Sequence, residues 1–269
     1  MTFPGRLFLG NIVKRRALLY QLVRRDFEQR YVGSAAGWLW GFIHPAVMLA
    51  CWTFVFQVCA KIQLPRGEVT QNYTLFLLAG YLPWFLFNET VLRSSTSLVD
   101  HANLITKTVF PSELVPISVF FTSLINHLFT LSLLLAAVAY LEPRNLSWNF
   151  ALLPAYMLLT GLFAVGVGWV VSALQVYLRD VAQGVNVLLQ IWFWITPIFI
   201  AETDYPARFQ FLLDYNPMAF LVTAYRAVVL SPNLPDLQET IILCGWSLAA
   251  FFVGGLCFRH LKRGFADVL

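Results

Sequence analysis

Six long apolar stretches, at residues 38–60, 73–92, 114–140, 150–174, 183–200 and 239–258, divide the chain and leave mostly short connections between them. A transmembrane helix needs about 20 predominantly apolar residues to cross a hydrocarbon core about 30 Å thick. Within lipid, every backbone polar group must find its partner inside the segment or on a neighbour. Stretches of this length and number predict an all-α integral membrane protein with six transmembrane helices. Charge usage agrees, because only 12% of residues are Asp, Glu, Lys or Arg, about half the share in a soluble domain. The connections hold no soluble domain, so residues 1–269 read as a single transmembrane domain.

Six spans place both termini on one side, and the basic residues say which. With the N-terminus inside, the inner connections carry Arg6, Lys14, Arg15, Arg16, Arg24, Arg25, Arg30, Arg93, Lys107, Arg179, Arg259, Lys262 and Arg263; the outer ones carry Lys61, Arg66, Arg144, Arg208 and Arg226. Thirteen against five predicts that both termini are cytoplasmic. The first apolar run of sufficient length begins near Trp38, after seven basic residues, so no cleavable signal is expected and the first span serves as the insertion signal. Cys51, Cys59, Cys244 and Cys257 all sit in apolar runs without metal-type spacing and read as packing residues.

Before the first span, the chain packs five charged residues into "RRDFEQR" at 24–30. Leu18, Leu19, Leu22, Val23, Phe27 and Tyr31 recur in steps of three and four, which predicts an amphipathic helix at about 16–32. Arg24, Arg25, Glu28 and Gln29 take its other side. Arg24 with Glu28 and Asp26 with Arg30 are spaced to pair along it. Such a helix lies in the membrane interface with its stripe on acyl chains. Gly33 and Gly37 then permit a sharp turn into the first span. Surface anchoring alone accounts for this pattern equally well.

Residues 201–238 are too apolar for a solvated loop. Pro217–Leu230 is 14 residues, about 21 Å as a helix and too short to cross. Asp214, Asn216 and Pro217 interrupt the run. Two short helices that dip into the outer leaflet and return, at about 205–232, fit the length and the break; a hairpin flat on the outer surface is the alternative.

Four motifs then carry a resemblance. "RYVGSAAGWLWGFIHP" (30–45), "NLITKTVFPSELVP" (103–116), "YLRDV" (177–181) and "LLDYNPMAFLVTAYRAVVL" (212–230) follow one another along nearly the whole chain. In this order they resemble the membrane subunit of polysaccharide-exporting ABC transporters, the type-2 exporters of lipid-linked O-antigen, capsule or teichoic acid. Ala36 and Ser112 depart from the family's commoner Leu and Arg. The resemblance implies a permease in the cytoplasmic (inner) membrane, working as a homodimer with two copies of an ABC ATPase subunit and moving a lipid-pyrophosphate-linked polysaccharide.

The chain's chemistry is compatible with a subunit that does not itself hydrolyse ATP. Lys107-Thr108 is the only Lys followed by Ser or Thr, and no glycine precedes it at phosphate-loop spacing. ATP and Mg are therefore expected in the partner, with no cofactor or metal in this chain. H-E-x-x-H and G-x-S-x-G patterns are also absent, and His44 and His127 lack partners at helical spacing. No catalytic residue is assigned, and no nucleic acid is expected as a partner.

Residues 94–107 read as a short helix capped by Ser94 or Ser95, with Leu98, Ala102 and Ile105 on one side. In the family this is the element that docks on the ATPase. The implied coupling set is Leu98, His101, Asn103, Lys107, Arg179 and Asp180, with Glu28 of the N-terminal helix. The implied headgroup and gate set is Arg24, Arg25, Arg30, Tyr31, Gly33, Ser34, Gly37, Trp40 and Pro45, the arginines suiting phosphate oxygens. Trp38, Trp192, Phe193 and Trp194 are candidates for a pore lining, although aromatics also gather at bilayer interfaces. Tyr215, Asn216, Pro217, Tyr225 and Arg226 mark the re-entrant region. Ala164 and Gly168 suit close helix packing. An ABC exporter of a drug or lipid with this fold is the alternative. A stand-alone secondary transporter would need intramembrane charges, and Glu89 and Glu113 fall at span ends where water is expected to reach them.

Overall fold

A computed structural model describes residues 15–31, 34–107, 110–143 and 148–268. Among these residues the chain is helical with no strand. Helix α1 is Arg16–Tyr31; a single turn at Gly37–Leu39 leads into α2, Trp40–Thr53, which widens into a π-helical segment at Phe54–Cys59. There follow α3 (Tyr73–Asp100), α4 (Ala102–Lys107), α5 (Leu114–Leu141), α6 (Leu153–Tyr177), α7 (Val181–Ile195), α8 (Phe211–Asp214), α9 (Pro217–Leu230), α10 (Leu237–Leu261) and α11 (Phe265–Val268).

Among the described residues, five helical segments are long and apolar enough to cross a membrane: Gly37–Cys59, Tyr73–Asp100, Leu114–Leu141, Trp148–Tyr177 and Leu237–Gly264. The fifth expected span, 183–200, is shorter. Its helix has 15 residues and stops at Ile195, because Thr196 precedes Pro197 and takes an extended conformation (φ −77°, ψ 139°). Beyond it the chain stays inside the bundle, with Thr196, Ile198 and Phe199 buried.

Local chemistry fixes several helix starts. The Asn72 side chain accepts from the amides of Thr74 and Leu75 at the head of α3, and Asp236 does the same for Gln238 and Glu239 at the head of α10. Asn216 caps Met218 with Pro217 at the first helical position of α9. The caps of α3 and α10 stand at one end of the bundle, whereas Asn216 lies deeper, its Oδ1 accepting from Trp192 Nε1 at 2.8 Å.

Burial divides the bundle into a centre and a periphery. Of the most apolar window of α3, 83% is buried in the protein, against 22% for the segment containing α10 and 6% for the one containing α2. Lipid is as apolar as leucine, so helices in a membrane associate through close packing and polar bonds. Small residues carry the closest contact: a Cβ on Gly254 of α10 would lie 2.1 Å from the carbonyl oxygen of Gly166 on α6. Of the expected pair on α6, Ala164 is fully buried and Gly168 faces Ser94 of α3, while Gly166 takes the closest approach.

At the opposite end from the caps, a second core joins Leu22 of α1, Leu98 of α3, Leu114 and Val115 of α5, Val176 of α6, Phe258 of α10 and Phe265 of α11, with Leu18 and Leu19 packed against it. This corrects the expectation that the α1 stripe lies on acyl chains: its leucines rest on the protein. Lys262 is ion-paired with Glu113, and the Tyr177 hydroxyl donates to the Leu261 carbonyl at 2.7 Å, so the end of α10 is tied to the same face.

The helix expected over 94–107 is divided differently. Helix α3 runs unbroken to Asp100, and Ser95 and Ser97 give their hydroxyls to the carbonyls of Leu92 and Ser94 instead of capping a new start. The break falls at His101 (φ −105°, ψ 17°), whose Nδ1 lies 2.8 Å from the Ser97 carbonyl.

Candidate functional site

The end of the bundle that collects α1, α4, the α6–α7 turn and α11 is the candidate site. Its central feature is Glu89 on α3, which is 7% exposed. The expectation that water reaches it does not hold, because α3 continues well past residue 92 and carries Glu89 inside. Arg30 of α1 lies 2.5 Å from Glu89 Oε1, and Asn126 Nδ2 of α5 donates to the same oxygen at 3.1 Å. One helical turn along α3, Arg93 grips Asp26 of α1 through both carboxylate oxygens at 2.6 and 2.8 Å. Arg93 also stands 3.7 Å from Glu89.

The pairing expected along α1 is thus half realised. Arg24 and Glu28 pair at 2.7 Å, both exposed, and Glu28 raises the pKa of Arg24 by hydrogen bond and charge. Asp26 and Arg30, in contrast, reach across to α3 rather than to each other, since two opposite charges are available there, Glu89 buried and Arg93 half-buried. Arg25 is exposed, and among the described residues no carboxylate lies within 4.0 Å of it.

The turn into α2 uses Gly37 at φ +51°, left-handed backbone that favours glycine. Its amide lies 3.2 Å from Ser34 Oγ. Trp38 and Trp40 are half exposed, Trp38 edge-on to Phe42 with ring centres 5.9 Å apart, and Pro45 is buried within α2. Gly33 and the side chains of Tyr31 and Lys107 lie outside the described residues.

On the coupling set, Leu98 is fully buried in the end core, Asn103 is exposed and His101 half-buried. Arg179 and Asp180 are exposed on the turn between α6 and α7. Gln175 braces that turn from below, donating to the Arg179 carbonyl at 2.8 Å and accepting from the Ala182 amide at 2.6 Å.

The aromatic trio of α7 separates by face. Trp192 turns inward, with its Nε1 donating to Asn216 Oδ1 at 2.8 Å and its ring edge-on to Phe87. Phe193 packs among Trp52, Trp84 and Phe199. Trp194 points outward, 62% exposed.

In the region marked as re-entrant, α9 is buried along most of its length against α3, α10 and α6. Tyr215 is exposed before the break, whereas Asn216 and Pro217 are buried at the head of α9. Tyr225 faces His127 of α5, its hydroxyl 3.3 Å from Nε2. Arg226 is buried: Nε donates to the Phe76 carbonyl at 3.3 Å, Nη2 to the Ile198 carbonyl at 2.8 Å, and the guanidinium lies 3.4 Å over the Phe76 ring. Gly80 leaves the room, since a Cβ there would meet Nη2 at 2.6 Å.

Sequence reasoning missed Asn126, Gln175, Gly80 and Gly166. Lone polar residues on neighbouring apolar stretches, Glu89 and Asn126, were the available signal for the first.

Helices of this length, packed through small residues and polar bonds, define a multi-pass helical membrane protein. The chain belongs to the ABC-2 type transporter family, which matches residues 17–230. It is 30% identical over 256 residues to an O-antigen export system permease of Myxococcus xanthus, covering 94% of this chain and 95% of the relative. A Klebsiella pneumoniae protein described in the same words is 29% identical with the same coverage. A capsule polysaccharide export inner-membrane protein of Neisseria meningitidis serogroup A is 21% identical, covering 96% of both chains. The family's members are transmembrane permease subunits, which are not themselves ATPases, and the chain is a multi-pass protein of the inner membrane.

Proposed function

We propose that this chain is the permease subunit of an ABC transporter that exports a lipid-linked, O-antigen-like polysaccharide across the cytoplasmic membrane. The observation that carries the reading is similarity to O-antigen export permeases over 94% of the chain. Two copies related by a two-fold axis leave a pore between them and bind two ATPase subunits that supply ATP and Mg. The gathering of α1, α4, the Arg179–Asp180 turn and α11 at one end supports a single face for those subunits, and the basic residues there support its being cytoplasmic.

Six crossings follow if α7 and the turn after it, as far as Phe199, together make the fifth. Support comes from that turn: the Phe199 carbonyl accepts from Tyr73, at the head of α3, 3.0 Å away. Thus the turn reaches the end of the bundle opposite to Asp180. Helices α8 and α9 then return within the outer half as a re-entrant pair.

Arg24 and Arg25 are exposed cations of α1 and suit the carrier's pyrophosphate. Arg24→Glu with Arg25→Glu is expected to abolish surface glycan while the permease still assembles with its ATPase. Normal export by that variant refutes the headgroup role. Deletion of the chain is expected to leave glycan in the cytoplasm; an unaltered glycan with altered drug or lipid efflux refutes the cargo.

A further inference from the structure

We propose that Glu89 is a positioning residue for transport: with Arg30, Arg93, Asp26 and Asn126 it latches α1 to α3 and α5, so that the ATPase-facing element and the helix beside the lipid surface move as one body. The latch is built of two crossed pairs, each joining α1 to α3. Arg30 to Glu89 lies at 2.5 Å, Asp26 to Arg93 at 2.6 and 2.8 Å, and Asn126 brings in α5 at 3.1 Å.

Stability is a poor explanation for it. Buried ion pairs are commonly no better for stability than apolar residues of the same size, and this one is incompletely bonded, Arg93 Nη1 having no hydrogen-bond partner among the described residues. What two crossed pairs do well is fix register and angle, since neither helix can slide or roll without breaking one of them. Helix α3 continues without interruption from Glu89 to Asp100 and is separated from α4 by His101 alone. A displacement delivered at α4 therefore reaches α1 through a rigid helix and two ion pairs.

The inference rests on the permease reading but not on any contact between arginine and headgroup. The test uses the complete transporter, permease with its ATPase, in lipid vesicles. Glu89→Gln keeps the size and hydrogen-bonding capacity of the side chain while removing its charge. Export is expected to fall by about tenfold or more while ATP hydrolysis stays within about twofold, because misplaced groups lose rate without losing the fuel reaction. Asp26→Asn, at the more exposed pair, is expected to give the same split in smaller degree. A structural role alone would lower both activities together.

A second arm removes dependence on folding. In a background without the four native cysteines, Asp26→Cys with Arg93→Cys is bridged by a short, reducible thiol cross-linker. Bridging is expected to restore export to the uncoupled double variant, and reduction to remove it. Three results overturn the proposal: an unchanged ratio of export to hydrolysis in Glu89→Gln, parallel loss of both, or a bridged transporter that is inactive, which would mean that α1 and α3 must part during the cycle. Failure of the headgroup variants with these ratios intact would count against the phosphate contact and leave the latch standing.

Discussion

Gly254→Ala tests whether the bundle is held by backbone contact between α6 and α10. The added Cβ would stand 2.1 Å from the Gly166 carbonyl oxygen, 2.7 Å from its carbon and 2.9 Å from its Cα. An ordinary carbon–oxygen contact is about 3.3 Å or more, so the helices must separate by about 1 Å. The obstacle is backbone and cannot rotate aside. At that gap, dispersion contacts forfeit about a quarter to a half of wells worth about 0.1–0.2 kcal/mol per atom pair. This helix pair makes the most extensive contact in the bundle, and a few tens of such pairs give about 1–3 kcal/mol, the usual range for overpacking. That is roughly 5- to 150-fold in the unfolding equilibrium. Denaturant titration of the purified protein in detergent reads it directly. Gly245→Ala is the control on the same helix: a Cβ there meets nothing within 4 Å, and alanine's better helix propensity predicts no loss or a gain of up to about 1 kcal/mol. If the two variants unfold alike, close packing at Gly166 and Gly254 does not hold these helices.

Arg226→Lys is expected to lower the melting temperature, since an ammonium cannot stack on Phe76 while serving two carbonyls, a loss of about 1–2 kcal/mol. Gly80→Ala should reproduce it by displacing the guanidinium, and wild-type melting in both refutes the clamp. Glu68 supplies a pH dependence: burial pushes its carboxyl above the ordinary 4.5, and the charge of Arg226 pulls it back only in part. The folded form then holds the proton over a window in which the unfolded chain has lost it, so stability falls as pH rises from 4.5 through the raised value. Glu68→Gln should flatten that slope, and a wild type that gains stability relative to the variant as pH rises above 4.5 contradicts the sign.

Long periodic segments were legible in the sequence because their signal is local. The α1 stripe predicts 16–32, against Arg16–Tyr31 observed, and Pro217–Leu230 is delimited by Asn216 and Pro217 in both. Interactions between segments were not legible. Asp26 and Arg30 have the spacing of an intrahelical pair, yet they face the oppositely charged Arg93 and Glu89 on α3. Nothing local distinguishes the two outcomes, because the difference lies in where α3 packs. Ser95 resembles a cap for the same reason: a serine hydroxyl bonds equally well to the carbonyl of the preceding turn, and the continuing helix decides. Proline was the informative punctuation at Thr196-Pro197, where it ends α7 short of the stretch that hydropathy alone includes.

Helix α3 joins the two most heavily charged buried contacts of the protein. Near its head, the Phe76 ring and carbonyl and the space at Gly80 receive Arg226 of α9; farther along, Glu89 and Arg93 receive Arg30 and Asp26 of α1. Gly80 and Glu89 are nine residues apart, about 14 Å along a helix, less than half the hydrocarbon thickness. A charged residue in lipid is tolerated where it faces the bundle and has partners, and each partner set here includes backbone or side chains of α3. Loss of α3 packing would therefore expose three cations and two carboxylates at once, a much larger penalty than any one apolar contact carries. The same dependence makes α3 hard to displace relative to α1 and α9. Movement is then more readily taken up at helices with little burial, α2 and the exposed face of α7, than at the central rod.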